Sequence, residues 1–163
     1  MIRYIVYMLL FINIFFTAHI AYAGVFSYAA KETGVSSKIL KSVSYVESGF
    51  HPYALDINGT PSFPKTYASA YYIARYFINK GYLVDIGLMQ VNYNIWAKRL
   101  SLSLRELLEP QINTQTGAYI LGRYILKQNS IVKGIGEYHS GNFIAAKDYE
   151  IKVLNAYSHF FSR

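Results

Sequence analysis

The chain of 163 residues contains no cysteine, and this absence excludes several kinds of chemistry. Disulfide bonds, zinc sites built from thiolates, lipid attachment through cysteine and a cysteine nucleophile all require a thiol. Acidic residues are also scarce, with 9 Asp and Glu against 16 Lys and Arg and a formal net charge of +7. A basic chain favours an anionic neighbour, which leaves nucleic acid, anionic lipid and anionic cell-wall polymer as candidates.

Proline is confined to a few places, and the sequence has no internal repeat, linker or low-complexity segment. Three of the four prolines lie in the stretch 49–65 together with Asn58-Gly59, which predicts turns and a small hairpin. The hydrophobic fraction of 53% is sufficient for one core, so we expect a single domain that is stable without cross-links. Tyrosine, in contrast, is abundant, and its seventeen rings can serve the core or a groove that binds sugars, peptides or bases.

The long apolar run of the sequence lies at its N-terminus. Arg3 precedes an apolar stretch from Tyr4 to Phe16, and a small-x-small cleavage site follows at 21–23. This layout predicts a secretory signal peptide over 1–23 and a domain over 24–163. The alternative is a retained membrane anchor, although polar residues interrupt the run before the roughly 20 residues that a span needs. In either case we expect the domain to act in the periplasm, which argues against nucleic acid as its anionic partner.

A single acid stands out in the segment SYVESGF at 44–50. Ser36 and Ser37 can cap a helix from about 37 to 48, and Gly49 ends it. The helical spacing of Leu40, Val43 and Val46 marks its apolar face, and Glu47 lies on that face. Desolvation on that face raises the pKa of a carboxyl, which is what a general acid needs near neutral pH. The alternative is a buried structural glutamate that is satisfied by backbone amides or a nearby arginine.

The rest of the chain predicts a mostly helical domain with one small β element. A helix beginning after Thr66 is expected to stop near Gly81, and the segment around Gly87 favours β structure. Ser103 and Glu106 form a capping box that opens a short helix. Three further helices are expected at about 113–128, 130–138 and 145–160.

Four short motifs occur in order along the chain: ESGF at 47–50, GLMQVN at 87–92, EPQIN at 109–113 with Gly117-Ala118, and YHSG at 138–141. Together they resemble the lytic transglycosylase (SLT) domain of the lysozyme-like superfamily, over roughly 26–149. The likeness is greatest to the small secreted transglycosylases that accompany conjugation and type IV secretion machines. The chain departs from the commoner pattern at His139-Ser140, where many members have Asn-Ala, and at Glu109, where many have Asp.

The resemblance implies a mainly α, lysozyme-like fold of the α+β kind with a cleft. It also implies peptidoglycan glycan strands as the substrate and components of an envelope-spanning machine as further partners. It implies that Glu47 is the catalytic acid and base and that Tyr138 orients both the acid and the substrate. It also implies that the remaining matched positions contact the sugar: Ser48, Gly87, Met89, Gln90 and Asn92. No cofactor and no metal is needed for this reaction, and the lone histidines His51 and His139 do not suggest one.

The reaction implied by the resemblance needs only one carboxyl, whereas glycoside hydrolysis commonly uses two. The sequence therefore leaves a hydrolytic lysozyme of the same fold as an alternative, with Asp56 or Asp85 as the second carboxylate. We expect both aspartates to be turn or surface residues in segments too irregular to hold a nucleophile. A non-catalytic glycan-binding assembly protein is the other alternative, but a pure binder has no need of a desolvated acid.

Overall fold

The computed structural model describes residues 23–161, and the predicted signal peptide therefore lies almost entirely outside the described residues. Within them the chain forms seven α-helices, one π-helical turn and four short strands. The helices are α1 (Ala23–Thr33), α2 (Ser37–Ser48), α3 (Tyr67–Asn79), α4 (Leu104–Leu107), α5 (Pro110–Gln128), α6 (Ile131–His139) and α7 (Phe143–Phe161). The strands are β1 (Leu55–Ile57), β2 (Thr60–Ser62), β3 (Val84–Ile86) and β4 (Val91–Asn92), and the π-helical turn is Tyr93–Ala97.

Helix α2 has the predicted bounds, and both of its ends are capped by the residues that the sequence suggests. The Ser36 side chain accepts a hydrogen bond from the Lys38 backbone N–H at the start. Gly49 takes the left-handed conformation, with φ 60°, and its N–H closes the last turn on the carbonyls of Ser44 and Tyr45. Leu40 and Val43 are fully buried, so the apolar face of this helix is the one predicted from the spacing.

The β element is a four-stranded antiparallel sheet in the order β2-β1-β3-β4. The predicted hairpin is confirmed, since Asn58 and Gly59 connect β1 to β2 with φ 49° and 85°. Positive φ at both central residues is the requirement of the turn that suits the twist of paired strands. The segment around Gly87 is likewise confirmed as β-rich, because β3 and β4 lie on either side of it.

The remaining helices follow their predicted positions, with differences at the ends. Thr66 caps α3, and Ser103 with Glu106 forms the expected capping box before α4. Helix α5 begins three residues before the predicted start, because Pro110 occupies the first turn, where its missing N–H costs nothing. Helix α1 was not predicted, because its small and polar residues show only weak apolar periodicity after the N-terminal apolar stretch.

The helices pack around α5, which contacts α1 and α6, while α7 packs on α2 and α6. The core between them and the sheet includes fully buried Leu40, Ile86, Leu88, Met89 and Leu121. The prediction of a mainly α, lysozyme-like domain with a small β element is therefore confirmed. Within residues 23–161, no helix combines the length and the apolar character needed to cross a bilayer.

Candidate active site

The cleft of the domain lies where the C-terminal end of α2 faces the sheet and helices α5 and α6. Its cavity has a volume of about 570 Å³, within the range of about 300–1,000 Å³ that is usual for sites of small ligands. The residues that line it come from α2, the sheet, the π-helical turn with the segment after it, α5, and α6 with the segment after it: Glu47, Asp56, Asp85, Gln90, Val91, Asn92, Ile95, Trp96, Arg99, Ile120, Tyr124, Glu137, Tyr138, His139, Ser140 and Gly141.

Glu47 lines this cleft from the last turn of α2. Its Oε1 accepts a hydrogen bond of 2.6 Å from the hydroxyl of Tyr149. The pKa of Glu47 is raised to about 7, mainly by burial. The hydrogen bond from Tyr149 lowers the pKa, and the charges of Asp85 and Asp56 add to the rise. A carboxyl in this state can donate a proton at neutral pH and accept one afterwards.

Tyr149 was missed by the sequence analysis. It is buried on α7, and it contacts Glu47 across 102 positions of the sequence. The ring of His139 stacks on it, with centroids 4.5 Å apart and planes within 2°. The available signal was the helical spacing of Tyr149 with Val153 and Ala156, which puts all three on the inner face of α7.

Tyr138 lies in the cleft, but it is not the tyrosine that hydrogen-bonds the acid. Its hydroxyl donates to the backbone carbonyl of Met89 at 2.7 Å, and so it holds the GLMQVN segment against α6. The hydrogen bond to the carboxyl comes from Tyr149 instead, so an orienting role of Tyr138 on Glu47 stays a prediction. Both rings approach the acid, since each has its pKa raised by burial and by the charge of Glu47.

Ser48, Gly87 and Met89 do not line the cavity, so their geometry does not support the sugar contacts that the resemblance implied. The Ser48 hydroxyl is buried and donates to the Leu88 carbonyl at 2.9 Å, which ties α2 to the cleft floor. Met89 is fully buried in the core. Gly87 has φ 80°, and a Cβ there would lie 2.5 Å from the Asn113 amide nitrogen. These three residues shape the floor from behind.

Gln90 and Asn92 do line the cavity, and both also hold the backbone around them. The Gln90 amide donates to the carbonyls of Ala54 at 3.1 Å and Gly87 at 2.8 Å. The Asn92 amide donates to Asp85 at 2.6 Å, and its oxygen caps the π-helical turn through the Ile95 N–H. Gln90 and Asn92 are half-buried, so part of each side chain stays open to the cleft while its amide nitrogen donates hydrogen bonds within the protein.

Asp56 and Asp85 are half-buried acids rather than surface acids, which corrects part of the expectation from sequence. They lie directly opposite each other on β1 and β3, and both line the cleft. Burial and the charge of Asp56 raise the pKa of Asp85 to about 6, against the hydrogen bond from Asn92. The turn role predicted for Asp56 is nevertheless present, because its Oδ1 accepts from the Gly59 N–H. The pattern missed this pair because cross-strand neighbours depend on register.

The arrangement combines one acid of near-neutral pKa with two acids on the sheet. No group of three His, Cys, Asp or Glu side chains suited to a metal ion is found within residues 23–161. A family model described as the transglycosylase SLT domain matches residues 24–158. The chain belongs to this family. Neither the curated proteins nor the solved structures contain a match.

Membership of the SLT family gives the chain its substrate and class of reaction. SLT domains are lytic transglycosylases that act on peptidoglycan, and peptidoglycan lies outside the cytoplasm. The match covers most of the described residues, including the cleft and both tyrosines beside Glu47. The SLT domain of this chain therefore places a protonatable carboxyl in a cleft that suits a glycan strand.

Proposed function

We propose that this SLT domain cleaves the β-1,4 bond between N-acetylmuramic acid and N-acetylglucosamine and leaves a 1,6-anhydro end on the muramyl residue. The observation that carries the proposal is Glu47 itself, which lines the cleft with a pKa of about 7 and a hydrogen bond from Tyr149. An acid with that pKa is partly protonated at neutral pH and can serve first as acid and then as base.

The reaction needs one protein carboxyl. Protonated Glu47 donates its proton to the glycosidic oxygen, and the bond from that oxygen to the muramyl C1 breaks. The carbonyl oxygen of the muramyl N-acetyl group stabilises the positive charge at C1. Ionised Glu47 then removes the proton from the muramyl C6 hydroxyl, whose oxygen attacks C1 and closes the anhydro ring. The proton returns to Glu47, so no water is consumed.

The test is the substitution Glu47→Gln, which keeps the size of the side chain and removes the titrating proton. We expect release of soluble fragments from purified sacculi to fall by about 10²–10⁴-fold, the usual contribution of general acid–base catalysis. Glu32→Gln is the matched control, because Glu32 is exposed on α1. A folded Glu47→Gln variant with more than about a tenth of the activity would remove Glu47 from the role of acid.

A hydrolytic lysozyme is the second candidate, and the presence of Asp56 and Asp85 in the same cleft favours it. A hydrolase needs a base about 6.5–9.5 Å from the acid, or a nucleophile about 5–5.5 Å away. Both aspartates are already engaged, Asp85 by Asn92 and Asp56 by Gly59, which supports the lytic route. A glycan-binding protein without activity is less well supported, because binding alone does not require a carboxyl whose pKa is raised to about 7.

Mass spectrometry separates the two reactions, since the anhydro product is one water lighter than the hydrolysis product. We expect anhydro ends from the wild type, and we expect Asp56→Asn and Asp85→Asn to keep measurable activity with the same ends. Reducing muramic acid as the main product, lost on changing one aspartate, would instead establish the lysozyme.

We further propose that residues 1–23 are a signal peptide and that the domain opens the wall for a conjugation, secretion or pilus apparatus. The support is the charge and apolar layout of the first residues and the resemblance of the four motifs. N-terminal sequencing of the periplasmic protein tests the first point, with Gly24 as the expected new terminus. Genes for an envelope-spanning machine beside this one would support the second, and their absence would count against it.

A further inference from the structure

The charged residues of the cleft are separated by sign. Glu47, Asp56 and Asp85 lie on α2 and the sheet, and Glu137 on α6 is paired with Lys127. Among the described residues that line the cavity, Arg99 is the only lysine or arginine. It follows the π-helical turn, so a ligand in the cleft meets acids on one wall and a single cation on another.

Aromatic rings support Arg99 where it lines the cleft. Its guanidinium carbon lies 5.4 Å from the centroid of the Trp96 ring, which is within the range of a cation–π contact. Trp96 in turn meets the edge of Tyr124, with centroids 6.3 Å apart and planes at 89°. Trp96 belongs to the π-helical turn, a kind of distortion that is frequent at functional sites.

No acid among residues 23–161 forms a salt bridge with the guanidinium. The salt bridges found within residues 23–161 involve Lys127 and Lys147, not Arg99. Arg99 is also exposed, so a ligand can reach it. A guanidinium in a cation–π contact keeps its planar fork of N–H donors available, and that fork matches the two oxygens of a carboxylate.

We infer that Arg99, which lies over the Trp96 ring, binds a carboxylate of the muramyl side branch and so determines which glycan units enter the cleft. The inference rests on the proposed function, because it takes a muramyl glycan as the ligand. N-acetylmuramic acid differs from N-acetylglucosamine by its lactyl group. The carboxylate is on that lactyl group in a bare glycan and on the stem peptide in an intact wall. A neutral glycan lacks both.

Trp96 provides the probe, because it is the only tryptophan of the chain. Its fluorescence is followed in the Glu47→Gln protein while three disaccharides are titrated. The first carries a free lactyl carboxylate, the second carries the stem peptide, and the third is built from N-acetylglucosamine alone. The substitution Arg99→Gln is added to this background, with Lys98→Gln as the matched control, since Lys98 is an exposed neighbour that does not line the cavity.

We expect Arg99→Gln to weaken binding of a carboxylate-bearing disaccharide by about tenfold, which is what a charge-assisted contact contributes. Arg99→Gln should change the affinity for the neutral disaccharide less than twofold. Lys98→Gln should change the affinity for each of the three disaccharides less than twofold. Arg99→Lys should restore part of the affinity, because it returns the charge without the fork. Loss with the free lactyl ligand assigns the contact to that group, and loss with the peptide ligand alone assigns it to the stem peptide.

Equal losses in Arg99→Gln and Lys98→Gln, or an equal loss for the neutral disaccharide, would overturn the inference. The outcome is independent of the cleavage test, since binding is measured with the acid already removed. If the wild type releases no anhydro ends while the binding difference persists, the proposed reaction fails and the carboxylate contact stands. If anhydro ends form and Arg99→Gln leaves the affinity unchanged, the proposed reaction stands and the carboxylate contact fails.

Discussion

Three neighbours of Glu47 act on its pKa in opposite directions. The charges of Asp85 and Asp56 raise it, and the hydrogen bond from Tyr149 lowers it. Because the proposed reaction begins from protonated Glu47, kcat/KM should fall as the pH rises through about 7. We predict that Asp85→Asn moves this alkaline limb to lower pH and that Tyr149→Phe moves it to higher pH.

The measurement is the pH profile of fragment release for each variant. Tyr157→Phe is the control, because Tyr157 lies on the same helix as Tyr149 and outside the cavity lining. Tyr157→Phe should leave the pH of the alkaline limb unchanged. Shifts of the same sign for Asp85→Asn and Tyr149→Phe would mean that the profile reports a group other than Glu47.

The same pKa has a consequence for stability. The folded chain keeps the Glu47 proton up to a pH of about 7, whereas the unfolded chain releases it near 4.5. The native state therefore binds more protons over this window, and stability falls as the pH rises through it. The difference between about 7 and 4.5 corresponds to about 3 kcal/mol.

We predict that Glu47→Gln gains up to about 3 kcal/mol over the wild type between pH 4 and pH 8. The glutamine Oε1 can still accept from Tyr149, and the amide carries no charge to desolvate. Urea unfolding at pH 4, 6 and 8 gives the free energies of both proteins. A difference between the two that does not grow with pH would contradict the raised pKa.

At the scale of elements, one buried side chain joins the parts that build the cleft floor. Asn113, near the start of α5, donates to the Ile86 carbonyl at 2.7 Å and the Leu107 carbonyl at 3.1 Å. Its oxygen accepts from the Met89 N–H at 2.9 Å. Strand β3, the GLMQVN loop and helix α4 are thus all fixed to α5, and Gly87 makes room for the contact.

We predict that Asn113→Ala destabilises the fold by about 2–4 kcal/mol, because it leaves three buried backbone groups without their partner. Activity should fall as well, since Gln90 and Tyr138 depend on the same loop. Gln111→Ala, at an exposed position of the same helix, should change stability by less than about 0.5 kcal/mol. Urea unfolding compares the two, and equal small losses would show that the loop is held without Asn113.

Local sequence signals were sufficient to predict most helices and strands, but they did not predict the non-local contacts of the cleft. Ser36 with Gly49, and Ser103 with Glu106, predicted helix ends because a cap involves residues a few positions apart. Glu47 was found from the spacing of one helix. The Tyr149 contact depends on how α7 packs against α2, and the Asp56–Asp85 pair depends on strand register. Neither packing nor register is encoded within a short window of sequence.

The whole molecule carries a basic excess that the cleft does not explain. The formal charge is +7 in the full chain, while the described acids that line the cavity outnumber its one arginine. Among residues 23–161, the basic side chains other than Arg99 therefore lie outside the cavity lining. There they can attract anionic wall polymer at distances up to the screening length, about 8 Å at physiological salt. Such attraction acts before a glycan strand enters the cleft.

We predict that binding of the Glu47→Gln protein to purified sacculi weakens steadily between about 0.05 and 0.5 M NaCl, because added salt screens exposed charges. Binding to insoluble chitin, a neutral glycan, should depend much less on salt and serves as the control. Co-sedimentation measures both. The acids around Glu47 are screened less, since they are partly buried, so the alkaline limit of wild-type activity should move little over the same range. If salt weakens binding to sacculi no more than it weakens binding to chitin, wall attachment would be assigned to the cleft rather than to the basic surface.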